Sequence, residues 1–121
     1  MSRIASLDVA AYRVPTDAPE SDGTLEWDAT TMVLVSVTAG GQTGIGYTYA
    51  DVSAGRLIAS VLTPLVAGRD AMEIPAIWHA MVHGIRNLGR PGVASMAVAA
   101  VDVALWDLKA RLLGLSVADL L

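Results

Sequence analysis

Hydrophobic residues alternate loosely over residues 3–14, with Ala5, Leu7, Val9 and Ala11 on one side and Ser6 and Asp8 on the other. A period of two predicts a half-buried β-strand. Two more strands are expected at residues 31–38 and 43–50, both rich in β-branched and aromatic side chains. Between them stands Ala39-Gly40-Gly41-Gln42, and a Gly-Gly pair tolerates the positive φ of a tight hairpin turn. The three strands are therefore expected to form an antiparallel meander. Residues 15–29 (PTDAPESDGTLEWDA) follow neither period and are expected to be a long loop, of a length that in compact domains is usually functional or disordered.

Beyond Asp51 the period becomes helical. Ser53 is the expected N-cap, Leu57, Ile58, Val61, Leu62 and Leu65 share one face, and Pro64 should kink or end the helix. A second helix begins near Ile74, with Pro75 in its first turn and Ile74, Ile77, Trp78, Met81, Val82 and Ile85 at i, i+3, i+4, i+7, i+8 and i+11. Residues 87–92 break the pattern. A third helix is expected over residues 93–113, closed by Gly114, and Ser116 caps the start of a fourth. Strands first and helices afterwards is an α+β order, in one domain over residues 1–121.

The third helix differs from the others. From Val93 to Leu108 its only polar residues are Ser95, Asp102 and Asp107, so apolar side chains cover nearly its whole circumference. At about 25 cal/mol per Å² of apolar surface, leaving one face of such a helix in water forgoes several kcal/mol, comparable with the stability of a small domain. The expectation is that a further domain or subunit packs on it.

Hydrophobic residues make up 54% of the chain, with no Phe and 5% aromatics, which suits closely packed helices better than a ligand box built of rings. The net charge of −4 argues against a nucleic-acid footprint, and the acidic excess gathers in Asp17, Glu20, Asp22, Glu26 and Asp28. With no cysteine there are no disulfides, zinc thiolates or thiol nucleophiles, which is compatible with a cytoplasmic protein. Asp8 interrupts any signal-peptide core, and Asp102 and Asp107 break the longest apolar stretch short of a membrane span.

Several residues invite chemistry. His79 and His83 stand at i, i+4, a chelating spacing, but no third ligand accompanies them, so a structural or surface role is expected. Gly40, Gly41, Gly44 and Gly46 crowd together, yet Tyr49 stands where a dinucleotide fingerprint has its third glycine; turn chemistry is the expected role. Asp102 could be a perturbed acid, but it has no acid/base companion within a turn, and a hydrogen-bonded structural carboxylate is expected. Asp107 and Arg111 suggest an ordinary i, i+4 helix pair. Trp78 and Trp106 fall within helical apolar patterns and are expected in the core. Trp27, between Glu26 and Asp28, is the tryptophan expected to touch ligand or another domain.

The third helix also carries a resemblance. Ala97, Ala99, Ala100, Val101, Asp102, Ala104, Leu105, Asp107, Leu108, Ala110, Arg111, Ser116, Val117, Leu120 and Leu121 resemble the signature of enolase-superfamily enzymes of the mandelate racemase and muconate lactonizing type. That signature closes with a glycine after the two leucines, one residue beyond Leu121. The stretch Gly44 to Tyr47 and the run Val66-Ala67-Gly68-Arg69-Asp70 agree with it.

The resemblance implies an amino-terminal α+β domain that caps a modified (β/α) barrel. It implies an enzyme that removes the proton α to a carboxylate and stabilises an Mg²⁺-held enediolate, as a racemase, cycloisomerase or acid-sugar dehydratase. The catalytic groups and Mg²⁺ ligands of such enzymes lie in the barrel, which takes roughly 250 residues, so this chain is expected to hold no catalytic residue and no metal and to be inert alone. What it implies for these residues is substrate selection by two loops, residues 16–30 and 47–53. Asp22, Thr24, Trp27, Tyr47 and Tyr49 are the candidate substrate contacts, for a small carboxylic acid or acid sugar. The implied partners are the barrel of the same enzyme and further copies of it, with no nucleic acid or membrane. The alternative is a freestanding dimerisation or interaction module using the apolar third helix.

Overall fold

The computed structural model describes residues 2–121. Three strands, β1 (Ile4–Ser21), β2 (Glu26–Ala39) and β3 (Gln42–Tyr49), form an antiparallel sheet in the order β1-β2-β3. Gly40 and Gly41 make the β2–β3 turn, both at positive φ (56° and 76°), the conformation glycine adopts without steric cost. The antiparallel meander expected from the strand patterns and the Gly-Gly turn is thus observed. The long loop is not: residues 15–21 and 26–29 are strand, so β1 and β2 run on as a two-stranded ribbon.

The first helical segment is continuous and made of α1 (Val52–Leu57), a π turn (Ile58–Leu62) and α2 (Thr63–Val66). Pro64 neither ends it nor needs an ordinary kink. Proline has no N–H and its ring crowds the carbonyl four residues back; the backbone widens just before it, with the Thr63 N–H bonding the Ile58 carbonyl. The cap is Asp51 rather than Ser53, its carboxylate accepting from the Ser53 N–H at 2.8 Å. There follow α3 (Ile74–Gly84), α4 (Val93–Leu112) and the short α5 (Val117–Leu120), which Ser116 caps.

α1, the π turn, α2 and α4 pack on one face of the sheet, and α3 lies against α2, the π turn and α4. Val33, Val35 and Val37 of β2 share one buried core with Ile58 and Leu62, with Ile77 and Met81 of α3, and with Val101, Leu105 and Leu108 of α4, all fully buried.

The closest approach is between α4 and β3. Gly44 and Gly46 both point at the helix, where a Cβ on Gly44 would strike the Ala104 carbonyl and the Leu108 amide. On Gly46 it would meet the Ala100 carbonyl and lie 2.6 Å from the Ala104 amide nitrogen. These two glycines therefore serve helix-on-strand contact, which corrects the turn role expected of them; only Gly40 and Gly41 turn the chain. Ala97, Ala100 and Ala104 supply the matching small side chains on α4.

Asp107 has a wider part than an intrahelical pair. Its Oδ2 accepts from the Arg111 Nε at 3.0 Å and from the backbone N–H of Ile45 at 2.8 Å. β3 is an edge strand, and this carboxylate occupies one donor on its open side.

Candidate functional site

The third strand stops at Tyr49, opposite Met32, and beyond that row only β1 and β2 continue. The projecting ribbon has little core of its own and is held by polar contacts. Arg13 pairs with Asp28 at 3.1 Å, and the Trp27 indole N–H donates to Glu20 Oε2 at 3.1 Å. A register shift between Pro15 and Glu20 lets β1 carry extra residues around the two prolines.

At the tip, Asp22 Oδ1 accepts from the Thr24 N–H (3.0 Å), the Thr24 hydroxyl (2.8 Å) and the Leu25 N–H (2.9 Å). These bonds, the Leu25 amide foremost, lower the Asp22 carboxyl to about 2. A depressed carboxyl strengthens its turn above the ordinary range, and that contribution is lost as the pH falls through about 2. Three of the five acidic residues of this stretch are thus engaged within the ribbon.

Where the ribbon leaves the body of the domain, a cleft of about 410 Å³ opens between Trp27, Ala29 and Thr31 on one side and Tyr49, Ala50 and Asp51 on the other. A second hollow, of about 360 Å³, lies between Trp27 and its neighbours Pro19, Glu26 and Asp28. Trp27 therefore borders both.

Of the five expected contacts, the fold brings Trp27 and Tyr49 to one cleft. Tyr47 meets Tyr49 edge-on at 5.6 Å between ring centroids. Cross-strand rows place it beside Leu34 and Ala10, on the sheet face away from the helices. Asp22 and Thr24 lie at the ribbon tip and spend their polar atoms on its turn. Thr31 and Asp51 were not singled out from sequence. Asp51 could have been found as an N-cap, since its backbone and side-chain bonds from Ser53 hold its carboxyl below the ordinary range; Thr31 carries no local signal.

The remaining candidates have other surroundings. His79 and His83 border a hollow with Val82, Arg86 and Arg90. Among the described residues no three His, Asp or Glu side chains are grouped to hold a metal ion. Trp78 packs on the core with the Arg90 guanidinium 5.4 Å from its ring, and Trp106 does so with Lys109 Nζ at 5.5 Å.

Asp102 is half-buried in a hollow of about 230 Å³ with Trp78, Arg90 and Ser95. Burial pushes its carboxyl up, opposed by a hydrogen bond from Trp106. A raised folded value means the native state binds the proton more tightly, so its contribution falls as the pH rises past the ordinary carboxyl value of 3.8. Asp102→Asn is therefore expected to stabilise the domain at pH 7, by less than about 1 kcal/mol after solvent screening, and to change nothing at pH 3. Urea melts at the two pH values check this.

Comparison with known proteins places these features. The family described as mandelate racemase / muconate lactonizing enzyme, N-terminal domain, matches residues 4–121. A mandelate racemase/muconate lactonizing enzyme-like protein from Rubrobacter xylanophilus superposes with a TM-score of 0.96 at 61% identity, over 98% of this chain and 33% of that one. The L-talarate dehydratase of Polaromonas sp. JS666, solved with Mg and L-glucarate, gives 0.85 at 29% identity, over 99% and 35%. The 3,6-anhydro-alpha-L-galactonate cycloisomerase of Streptomyces coelicolor is 35% identical over 106 residues, 81% of this chain and 29% of its own. The chain spans about a third of the length of these relatives.

Proposed function

The chain belongs to the mandelate racemase / muconate lactonizing enzyme family as its N-terminal domain, and from that premise we propose that it caps the barrel of an enzyme that removes the proton α to a carboxylate. The observation that carries this reading is the match over residues 4–121 to about a third of each relative. The remaining two thirds would supply the barrel. Mg²⁺, present in the Polaromonas structure, would stabilise the charge that develops when so weak an acid loses its proton. On this reading its ligands would belong to the barrel.

The part played by this domain is selection of the substrate. Trp27 and Tyr49 offer ring faces to the C–H surface of a sugar chain, while Thr31 and Asp51 supply polar groups beside them. Hydroxyl donors suit the Asp51 carboxylate, which favours an acid sugar over a purely apolar acid. The Asp22–Thr24 turn shapes the tip that closes over the mouth, and Tyr47 buttresses Tyr49. On this reading the complete enzyme is homo-oligomeric and works in the cytoplasm, a reducing compartment with which the lack of cysteine is compatible. Among the described residues no helix is long and apolar enough to cross a membrane.

The test is a chimera in which residues 1–121 replace the matched third of the Rubrobacter protein, assayed with Mg²⁺ on a panel of acid sugars. Trp27→Ala and Tyr49→Ala are each expected to raise KM about tenfold, equivalent to about 1.4 kcal/mol of lost binding. Unchanged KM and kcat across the panel would remove both residues from the substrate's surroundings. A second reading, a freestanding module that pairs through α4, is favoured by the side chains exposed on that helix. A compact dimer of the 121-residue chain in light scattering would support it.

A further inference from the structure

The basic groups of this acidic chain are unevenly spread. Between Glu73 and Asp102 there is no carboxylate side chain, and that stretch holds both histidines of the chain, His79 and His83, with Arg86 and Arg90. The fold gathers all four, with Val82, around one hollow of about 410 Å³. His79 and His83 lie one turn apart on α3, and Arg86 opens the 3₁₀ turn (Arg86–Leu88) that follows. Gly89, at a positive φ of 87°, redirects the chain so that Arg90 comes back beside the helix. Two contacts hold that side in place. The Arg90 guanidinium lies over the Trp78 ring, which also meets the His79 imidazole edge-on at 5.2 Å between centroids, and the Arg90 carbonyl accepts from the Ser95 hydroxyl of α4. Among the described residues the ion pairs are Arg13–Asp28 and Arg111–Asp107. Neither Arg86 nor Arg90 is therefore matched by a carboxylate, Asp102 of the adjoining hollow included.

We propose that this hollow binds a small oxyanion with two or more negative charges, a phosphate group or a polycarboxylate. Guanidinium forks and imidazole N–H groups present donors suited to such oxygens, and charge-assisted bonds of this kind are about twice as strong as neutral ones. The two guanidinium charges set the charge of the ligand. Stacking on Trp78 restricts Arg90 before anything binds, so less of its freedom is lost on binding. A metal ion chelated by the i, i+4 histidines is the opposing possibility, but both guanidiniums would repel it and no carboxylate of the stretch would offset them. The partial negative charge at the carboxyl end of α3 works against an anion; at about half an elementary charge it is outweighed by two whole ones. The hollow shares no residue with the cleft at Trp27 and Tyr49. It is thus a second site, and it stands whether or not the domain caps a barrel.

Because the chain has two histidines and both border the hollow, their ring-proton NMR signals report on this site alone. In a titration of the 121-residue chain with inorganic phosphate, at fixed pH and at an ionic strength held constant with sodium chloride, both rings are expected to shift and to saturate. Arg86→Gln and Arg90→Gln should each raise the Kd by about tenfold or more, the worth of one charge-assisted hydrogen bond. Arg56→Gln, exposed on α1, should leave it unchanged. Citrate in a parallel titration separates the sources: tighter phosphate assigns the site to a phosphate group, tighter citrate to a polycarboxylate. Shifts that rise linearly without saturating, that sodium chloride alone reproduces, or that survive undiminished in both arginine variants overturn the inference. The chimera with the Rubrobacter protein supplies an independent measurement. Phosphate is expected to slow carbethoxylation of His79 and His83, mapped by peptide mass, by about fivefold or more at half-saturated reagent, whereas equal rates with and without phosphate count against the site. Loss of acid-sugar turnover by that chimera would sink the capping-domain reading and leave this binding result untouched.

Discussion

Alanine in place of Gly46 is expected to lower the stability of the domain by about 3 kcal/mol, and valine there to prevent folding. Overpacking in a core usually costs about 1–3 kcal/mol because side chains shift to absorb the added atoms. At Gly46 the atoms in the way are the Ala100 carbonyl and the Ala104 amide, backbone of α4 that no rotamer change can move. The helix would have to lift from β3, and with it the buried residues Ala97, Ala100 and Ala104 and the Asp107 bond to the Ile45 N–H. Gly41→Ala is the control. Gly41 has positive φ but open space around it, so the cost there is the left-handed conformation alone, about 1–2 kcal/mol. Denaturant midpoints for the two variants should separate by that margin; equal losses would mean that α4 does not press on β3.

The same pair of glycines marks a boundary in what could be foreseen. Alternation at residues 3–14 and the β-branched runs at residues 31–38 and 43–50 located the sheet, although of the four side chains expected inward on β1 only Leu7 is buried and Val9 half-buried while Ala5, beside a register shift, and Ala11 are exposed. The continuous apolarity of α4 announced an element with more than one packed side. Gly44 and Gly46, by contrast, look like turn residues beside Gly40 and Gly41, since the reason for them lies about sixty residues away along the chain. Asp107 shows the same effect: its partner four residues on is visible in sequence, its partner on β3 is not.

The ribbon was missed for a different reason. Exposed on both faces, it has no buried side to impose a period of two, and Pro15, Pro19 and Gly23 carry the signals of a loop. Its pairing is kept by Arg13–Asp28 and Glu20–Trp27, contacts across the hairpin that hydrophobic patterning does not register. Of the expected site, Trp27 stood out because a lone tryptophan among carboxylates has no core to enter. The meeting of Trp27 with Tyr49 and Asp51 depends on where β3 ends relative to its longer neighbours, and that length difference is a property of the sheet.

That length difference leads to the second large effect. Excising the ribbon by joining Val14 to Thr30 through an Asn-Gly turn, a sequence suited to two-residue hairpins, is expected to reduce kcat/KM of the chimera about 100-fold while leaving its melting temperature within a few degrees. The stability half follows from burial: every residue removed, Pro15 through Ala29, is exposed or half-buried, and the core cluster draws on none of them. The activity half follows from what the ribbon would do at a barrel mouth. It carries Trp27 and one wall of the cleft, and a cover that excludes water and fixes the substrate contributes through positioning, where a displacement of about 1 Å can cost 100-fold. Single substitutions at Trp27 or Tyr49 remove one contact and should appear mainly in KM; removal of the ribbon leaves the site open and should lower kcat as well. A truncated chimera that turns over acid sugars at the full rate, with its melting temperature preserved, would show that the ribbon is no lid, and the part of this domain in selection would then fall to the segment around Tyr49 and Asp51.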